Sequence, residues 1–108
     1  MADITESDVY ERLMGACIRF VSFRPRSSKE MADYIERKLK KSHTTAPLVI
    51  RKVLERVTEM GYIDDHAFSL WWVDQRTGKK SKGAKAIRLE LLRKGVEPEI
   101  IDEGIAEV

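Results

Sequence analysis

Few side chains in this sequence have types and spacing that could do chemistry, and most of those have a plainer use. Asp64, Asp65 and His66 stand together, the one place where paired carboxylates beside an imidazole suggest acid–base or metal work. Helix-start chemistry accounts for them better. Asp64 can accept from the free N–H groups of a helix beginning just after it, and Asp65 stands where the helix dipole favours negative charge. His43 and His66 are the only histidines and flank different elements, and Cys17 is the only cysteine, so there is no zinc spacing and no internal disulfide. Cys17 also falls in an apolar helical stripe, the setting of a small buried hydrophobe rather than a nucleophile. Gly78, Gly83 and Gly95 lie at the wrong intervals for a phosphate-binding loop. No catalytic group, metal site or cofactor is expected, and the protein reads as a non-enzyme.

Aromatics and cations remain. Trp71 and Trp72 could stack bases as aromatics do on single-strand binders. In a chain with so few large side chains, Trp72 is instead expected in the core with Phe68, and Trp71 at its edge. Tyr10, Phe23 and Tyr62 are expected to pack around helix ends. The cations are unevenly placed. The formal net charge of +2 conceals a run from Arg76 to Lys94 with eight cations against one anion, Glu90, followed from Gly95 onward by five anions and no cation. Such an excess can steer a polyanion or an acidic protein surface. Lysines and arginines also simply solvate a small domain, and Arg37, Lys38 and Lys94 have acidic helix neighbours. The sharper expectation is that Arg24, Arg26, Lys29, Arg76, Lys79, Lys80, Lys82, Lys85 and Arg88 form a face for phosphates or for acidic protein surface.

Helices must position these residues, because aliphatics recur at helical intervals almost throughout and no period-two run is sustained. The first is expected from Thr5 or Ser7 to about Ser22, with Val9, Leu13 and Cys17 on one face. Arg24-Pro25-Arg26 breaks it, and Ser27 with Glu30 makes a capping box for a second helix bearing Met31, Ile35 and Leu39. A third begins near Thr45 with Pro47 in its first turn, carries Ile50, Val53, Leu54 and Val57, and is closed by Gly61 in a left-handed conformation. Asp64 then starts a fourth helix, with Phe68 and Trp72 four residues apart on one face.

After Gly61 the pattern starts again. A shift of 56 residues lays Arg24-Pro25-Arg26-Ser27 on Lys80-Ser81-Lys82-Gly83, Met31 on Ile87 and Ile35 on Leu91. A shift of 51 lays Pro47 on Pro98, Ile50 on Ile101, Leu54 on Ile105 and Val57 on Val108. The expected fold is therefore all-α and elongated, two tandem three-helix repeats with right-angled helix packing rather than a bundle of long helices. The repeats are bounded at 1–62 and 63–108, the second ending early. Ile101, Ile105 and Val108 make a stripe that needs cover: they fold back on earlier helices, or further chain covers them. The stripe could also pair two chains; a monomer is the expectation. A chain of 108 residues is one domain or one run of small repeats, burying about 60 to 65% of its unfolded surface. No signal sequence follows Met1 and no apolar run approaches the roughly 20 residues of a membrane span, so a cytoplasmic protein without membrane contact is expected.

Gly61-Tyr62-Ile63-Asp64-Asp65, then Phe68, Trp72-Val73 and Arg76, then Lys82-Gly83, Ile87, Glu90-Leu91 and Lys94-Gly95-Val96 resemble the signature of RecX, the bacterial regulatory protein of RecA. Arg24-Pro25-Arg26-Ser27 with Glu30 resembles that family's first repeat, so the likeness runs from Leu13 to Ile105. Gly61, Asp64, Asp65, Phe68, Trp72, Gly83, Ile87, Leu91 and Gly95 are its structural signature. Ser69 stands where the family more often has alanine.

The resemblance implies tandem three-helix repeats that lie in the groove of the RecA filament on DNA and inhibit recombinase and coprotease activity, with a role in DNA repair and the SOS response. Members usually carry a third repeat; this chain has two. The rival reading is a direct DNA-binding helical module with the helix from Ala84 to Lys94 in the major groove, although that helix lacks the Asn or Gln of many base readers. A weak direct contact with DNA is compatible with either. A helical adaptor for another acidic partner is the third reading.

Overall fold

The computed structural model of the chain describes residues 5–77 and 83–106. Within them run six helices, α1 (Glu6–Phe23), α2 (Ser28–Lys41), α3 (Pro47–Glu59), α4 (Asp65–Thr77), α5 (Ala84–Arg93) and α6 (Pro98–Ala106), and no strand occurs among the described residues. Local chemistry sets their ends. Thr5 and Ser27 each build a capping box, with Asp8 and Glu30 as the returning carboxylates. At α4 the Asp64 Oδ1 accepts from the backbone N–H groups of His66 at 3.0 Å and Ala67 at 3.1 Å, as a helix start requires. Pro47 and Pro98 open α3 and α6, where a missing N–H is harmless. Three helices end on a left-handed residue: Gly61 after α3 (φ 81°), Gly95 after α5 (φ 80°) and His43 after α2 (φ 55°). In each case the next N–H reaches back to a carbonyl of the last turn, Thr44 to Leu39, Tyr62 to Val57 and Val96 to Leu91.

Two apolar clusters follow. α1, α2 and α3 enclose Leu13, Cys17, Met31, Ile35, Leu39, Val49, Val53 and Val57, and Ile63 packs with them from the turn beyond Gly61. α4, α5 and α6 enclose Phe68, Trp72, Val73, Ile87, Leu91, Val96 and Ile101. Each buried side chain of this size stabilises by about 1.5–3 kcal/mol. The clusters lie along one axis of a body 55 × 24 × 21 Å, an elongated all-helical arrangement.

Ile101 is fully buried and Ile105 half-buried in the second cluster, so this part of the stripe folds back on the preceding helices; Val108 lies outside the described residues. Trp72 is core and Trp71 packs at its margin. Phe23 departs from expectation: it is 83% exposed rather than packed at the end of α1. α4 and α6 meet through small groups. A Cβ on Gly104 would lie 2.8 Å from the Ser69 hydroxyl, which is buried and has no hydrogen-bond partner among the described residues. No described helix is long and apolar enough to cross a membrane.

Candidate functional site

The chemistry of the chain concentrates where the two clusters meet, at the start of α2. The capping box of Ser27 and Glu30 opens α2 and also reaches across. The Ser27 hydroxyl, fully buried, donates to the Lys94 carbonyl at 2.7 Å, and the Lys94 Nζ lies 3.5 Å from Glu30 Oε2. Glu30 also receives both guanidinium nitrogens of Arg24, one of them at 3.3 Å, and Arg24 lies 5.7 Å from the Trp71 ring. Burial alone would raise the Glu30 carboxyl. The Arg24 hydrogen bond, the Ser27 N–H and the charges of Arg24 and Lys94 together outweigh it and hold the group below its ordinary range. Beside this, Ser28 donates its backbone N–H at 2.8 Å and its hydroxyl at 3.2 Å to Asp65 Oδ1. Asp65, expected only to complement the dipole of α4, is therefore also a tie between the halves.

A second carboxylate organises α4 against α5. Glu90 Oε2 accepts from the Trp72 Nε1–H at 3.2 Å and from the Arg76 Nε–H at 2.9 Å. The Arg76 guanidinium lies 4.2 Å and the Lys94 ammonium 5.2 Å from the Trp72 ring centroid, so the indole is lined by cations. The sequence marks Glu30 as the carboxylate of a capping box and Glu90 as the one anion in a cationic run; that Glu30 also meets Arg24 and Lys94, and Glu90 the Trp72 indole and Arg76, follows from helix packing and has no local signal.

The six candidate cations among the described residues do not share one face. Arg24 and Arg76 are turned inward onto Glu30 and Glu90. Lys29 pairs with Asp33 at 3.0 Å, and Arg88 pairs with Asp102 on α6. Arg26 donates its Nε–H to the Phe20 carbonyl at 3.1 Å, and its guanidinium lies 3.8 Å from the Phe20 ring centroid. Tyr34 stacks on Phe20 at 4.0 Å and takes one face of the ring, so Arg26 takes the other. Burial pulls the Arg26 guanidinium below its ordinary range, with the neighbouring charge of Arg24 adding to this and Glu30 and Tyr34 opposing it; an arginine stays charged regardless. Lys85 is exposed on α5. Lys79, Lys80 and Lys82 lie outside the described residues. Arg26 and Lys29 do come together, in a groove that also takes Arg37, Arg93 and Lys94.

No group of three or more His, Cys, Asp or Glu among the described residues could hold a metal ion. Cys17 is fully buried, and burial pushes its thiol up to about 11.

Residues 64–105 match the family model described as RecX, second three-helix domain. Regulatory protein RecX of Mycolicibacterium smegmatis is 32% identical over 98 residues, which are 91% of this chain and 50% of that protein. Residues 64–105 are thus a RecX three-helix domain, and the likeness to RecX proteins extends over most of the chain. Regulatory protein RecX of Listeria welshimeri is 31% identical over 105 residues, 97% of this chain and 37% of that protein. The crystal structure of RecX from Lactobacillus salivarius superposes with a TM-score of 0.81 at 21% identity, covering 93% of this chain and 62% of that one, a likeness of fold. The chain spans about half the length of the mycobacterial RecX relative and less of the Listeria one. Within the RecX match fall Trp72, Arg76, Glu90 and Lys94, the residues that join α4 to α5.

Proposed function

We propose that this chain is a non-enzymatic regulator that binds the RecA nucleoprotein filament on DNA and inhibits its recombinase and coprotease activities, acting in DNA repair in the cytoplasm. The observation that carries the reading is likeness to RecX proteins across nearly the whole chain, with relatives named as regulatory proteins. The repeats, taken as 1–62 and 63–108, are tied by Ser27, Ser28, Glu30, Asp65 and Lys94, a joint suited to holding two binding surfaces at a set spacing. A filament of repeating protomers rewards such spacing, because several modest contacts made together give more affinity than any one alone.

The contacts themselves are assigned to Lys85, exposed on α5, together with Lys79, Lys80 and Lys82 of the basic connector that precedes it in the sequence. A weak direct contact with DNA phosphates is part of the same reading. The double variant Lys80→Glu with Lys82→Glu tests it. Helix content and thermal midpoint should stay as in the parent while filament affinity falls; undiminished filament binding would remove the basic connector from the mechanism.

A further inference from the structure

A groove of about 340 Å³ opens over Phe20 between α2 and the end of α5. Two carboxylates line it and both are engaged, Glu30 with Arg24 and Lys94, Asp33 with Lys29. Three arginines line it as well, and none has a carboxylate within ion-pair distance among the described residues: Arg26, Arg37 and Arg93. Arg26 spends its Nε–H on the Phe20 carbonyl and keeps the four N–H bonds of its two Nη groups. Arg26 and Arg37 belong to the first half, Arg93 to the last turn of α5 in the second.

We infer that this groove is a site for a terminal phosphate group, gripped from both halves of the chain by Arg26, Arg37 and Arg93. Three guanidinium charges call for more than one negative charge in return. A carboxylate or a phosphodiester brings one, whereas a terminal phosphate carries about −1.5 to −2 near neutral pH and offers three acceptor oxygens to planar guanidinium forks. The groove lies at the small end of the usual range for ligand sites, roughly 300–1,000 Å³, enough for a phosphate and part of what bears it. Because Arg93 stands across the joint from Arg26 and Arg37, an occupant adds a link beside those of Lys94 with Glu30 and Ser27. Binding therefore stiffens the angle between the repeats. Inorganic pyrophosphate, a mononucleotide and a 5′-phosphorylated nucleic-acid end all present this group.

The inference is tested on the isolated chain, without filaments, and stands or falls apart from the proposed function. Pyrophosphate is titrated calorimetrically at constant ionic strength into the parent, Arg37→Gln, Arg93→Gln and, as a control outside the groove, Arg51→Gln. Saturable 1:1 binding is expected, weakened about tenfold or more in each groove variant, the usual consequence of losing one charge-assisted hydrogen bond, and unchanged in the control. Circular dichroism melts of all four proteins separate loss of binding from loss of fold. Absence of saturable binding by the folded parent overturns the site, as does undiminished binding in both groove variants. An effect of only one of them overturns the grip from both halves. Oligonucleotides with and without a 5′-phosphate, competed with pyrophosphate, distinguish a nucleic-acid end from a free phosphate as the source.

Discussion

A Cβ on Gly95 would come within 2.5 Å of the Lys29 Cβ and 2.7 Å of its Cδ, so the turn that ends α5 rests directly on the stem of a residue at the start of α2. Gly61 has almost the same backbone conformation, with nothing within 4 Å of its Cβ position. Gly61→Ala should therefore cost only the left-handed penalty, about 1–2 kcal/mol. Gly95→Ala should cost that and a further 1–3 kcal/mol or so from overpacking. His43→Gly, relieving a non-glycine residue in the same conformation, should stabilise by about 1 kcal/mol. Urea denaturation of the three variants decides; equal losses at Gly61 and Gly95 would mean that the second turn does not bear on Lys29.

Glu30 should make the joint sensitive to acid. Its folded pKa lies below the ordinary 4.5, so its stabilising contribution is complete above that value and is lost as pH falls through the lowered folded value. Glu30→Gln can still complete the capping box with Ser27 but carries no charge for Arg24 and Lys94. The variant should be less stable at pH 7 by about 1.5–3 kcal/mol, and the gap to the parent should shrink below pH 4.5. A gap constant from pH 7 to pH 3 would contradict the ion-pair account.

Ser69 and Gly104 should be energetically coupled. Removing an unpartnered buried hydroxyl makes Ser69→Ala stabilising by about 1 kcal/mol. Gly104→Ala brings the helix preference of alanine, about 1 kcal/mol, but meets the Ser69 hydroxyl at 2.8 Å. In the Ser69→Ala background that obstacle is gone, leaving ordinary contact with the Ser69 Cβ position at 3.6 Å. A double-mutant cycle should give a favourable coupling of about 1 kcal/mol; strict additivity would deny the close approach of α4 to α6.

Cys17 should be inert in the native protein. With no exposed surface and a thiol at about 11, it offers almost no accessible thiolate at pH 8. Labelling by a thiol-reactive dye should proceed at the rate of unfolding and accelerate in urea; prompt labelling in native buffer would place the residue outside the core.

Caps, prolines and period read well from the sequence because they are local: Thr5, Ser27, Asp64, Pro47, Gly61 and the buried positions Leu13, Ile35, Phe68 and Leu91 stand where their neighbours alone require. The candidate site read poorly because charge says nothing of direction. Arg24 and Arg76 carry the same sequence signal as Lys85, yet the first two turn inward onto acids six and fourteen residues away while Lys85 stays exposed. Arg93 belongs with Arg26 only through the packing of α5 near α2, a relation no local pattern records. Phe23 misled for the opposite reason: an aromatic at a helix end is ordinarily covered, and here it is not.

The central claim is recognition of the RecA filament. Its most direct test is binding of the purified chain to RecA assembled on single-stranded DNA, beside naked DNA and free RecA, across a salt series. The account predicts filament affinity well above both controls, with a salt dependence shallower than that for naked DNA because the interface is of mixed chemistry. Affinity for the filament no greater than for naked DNA would contradict it and leave a helical nucleic-acid-binding module in its place.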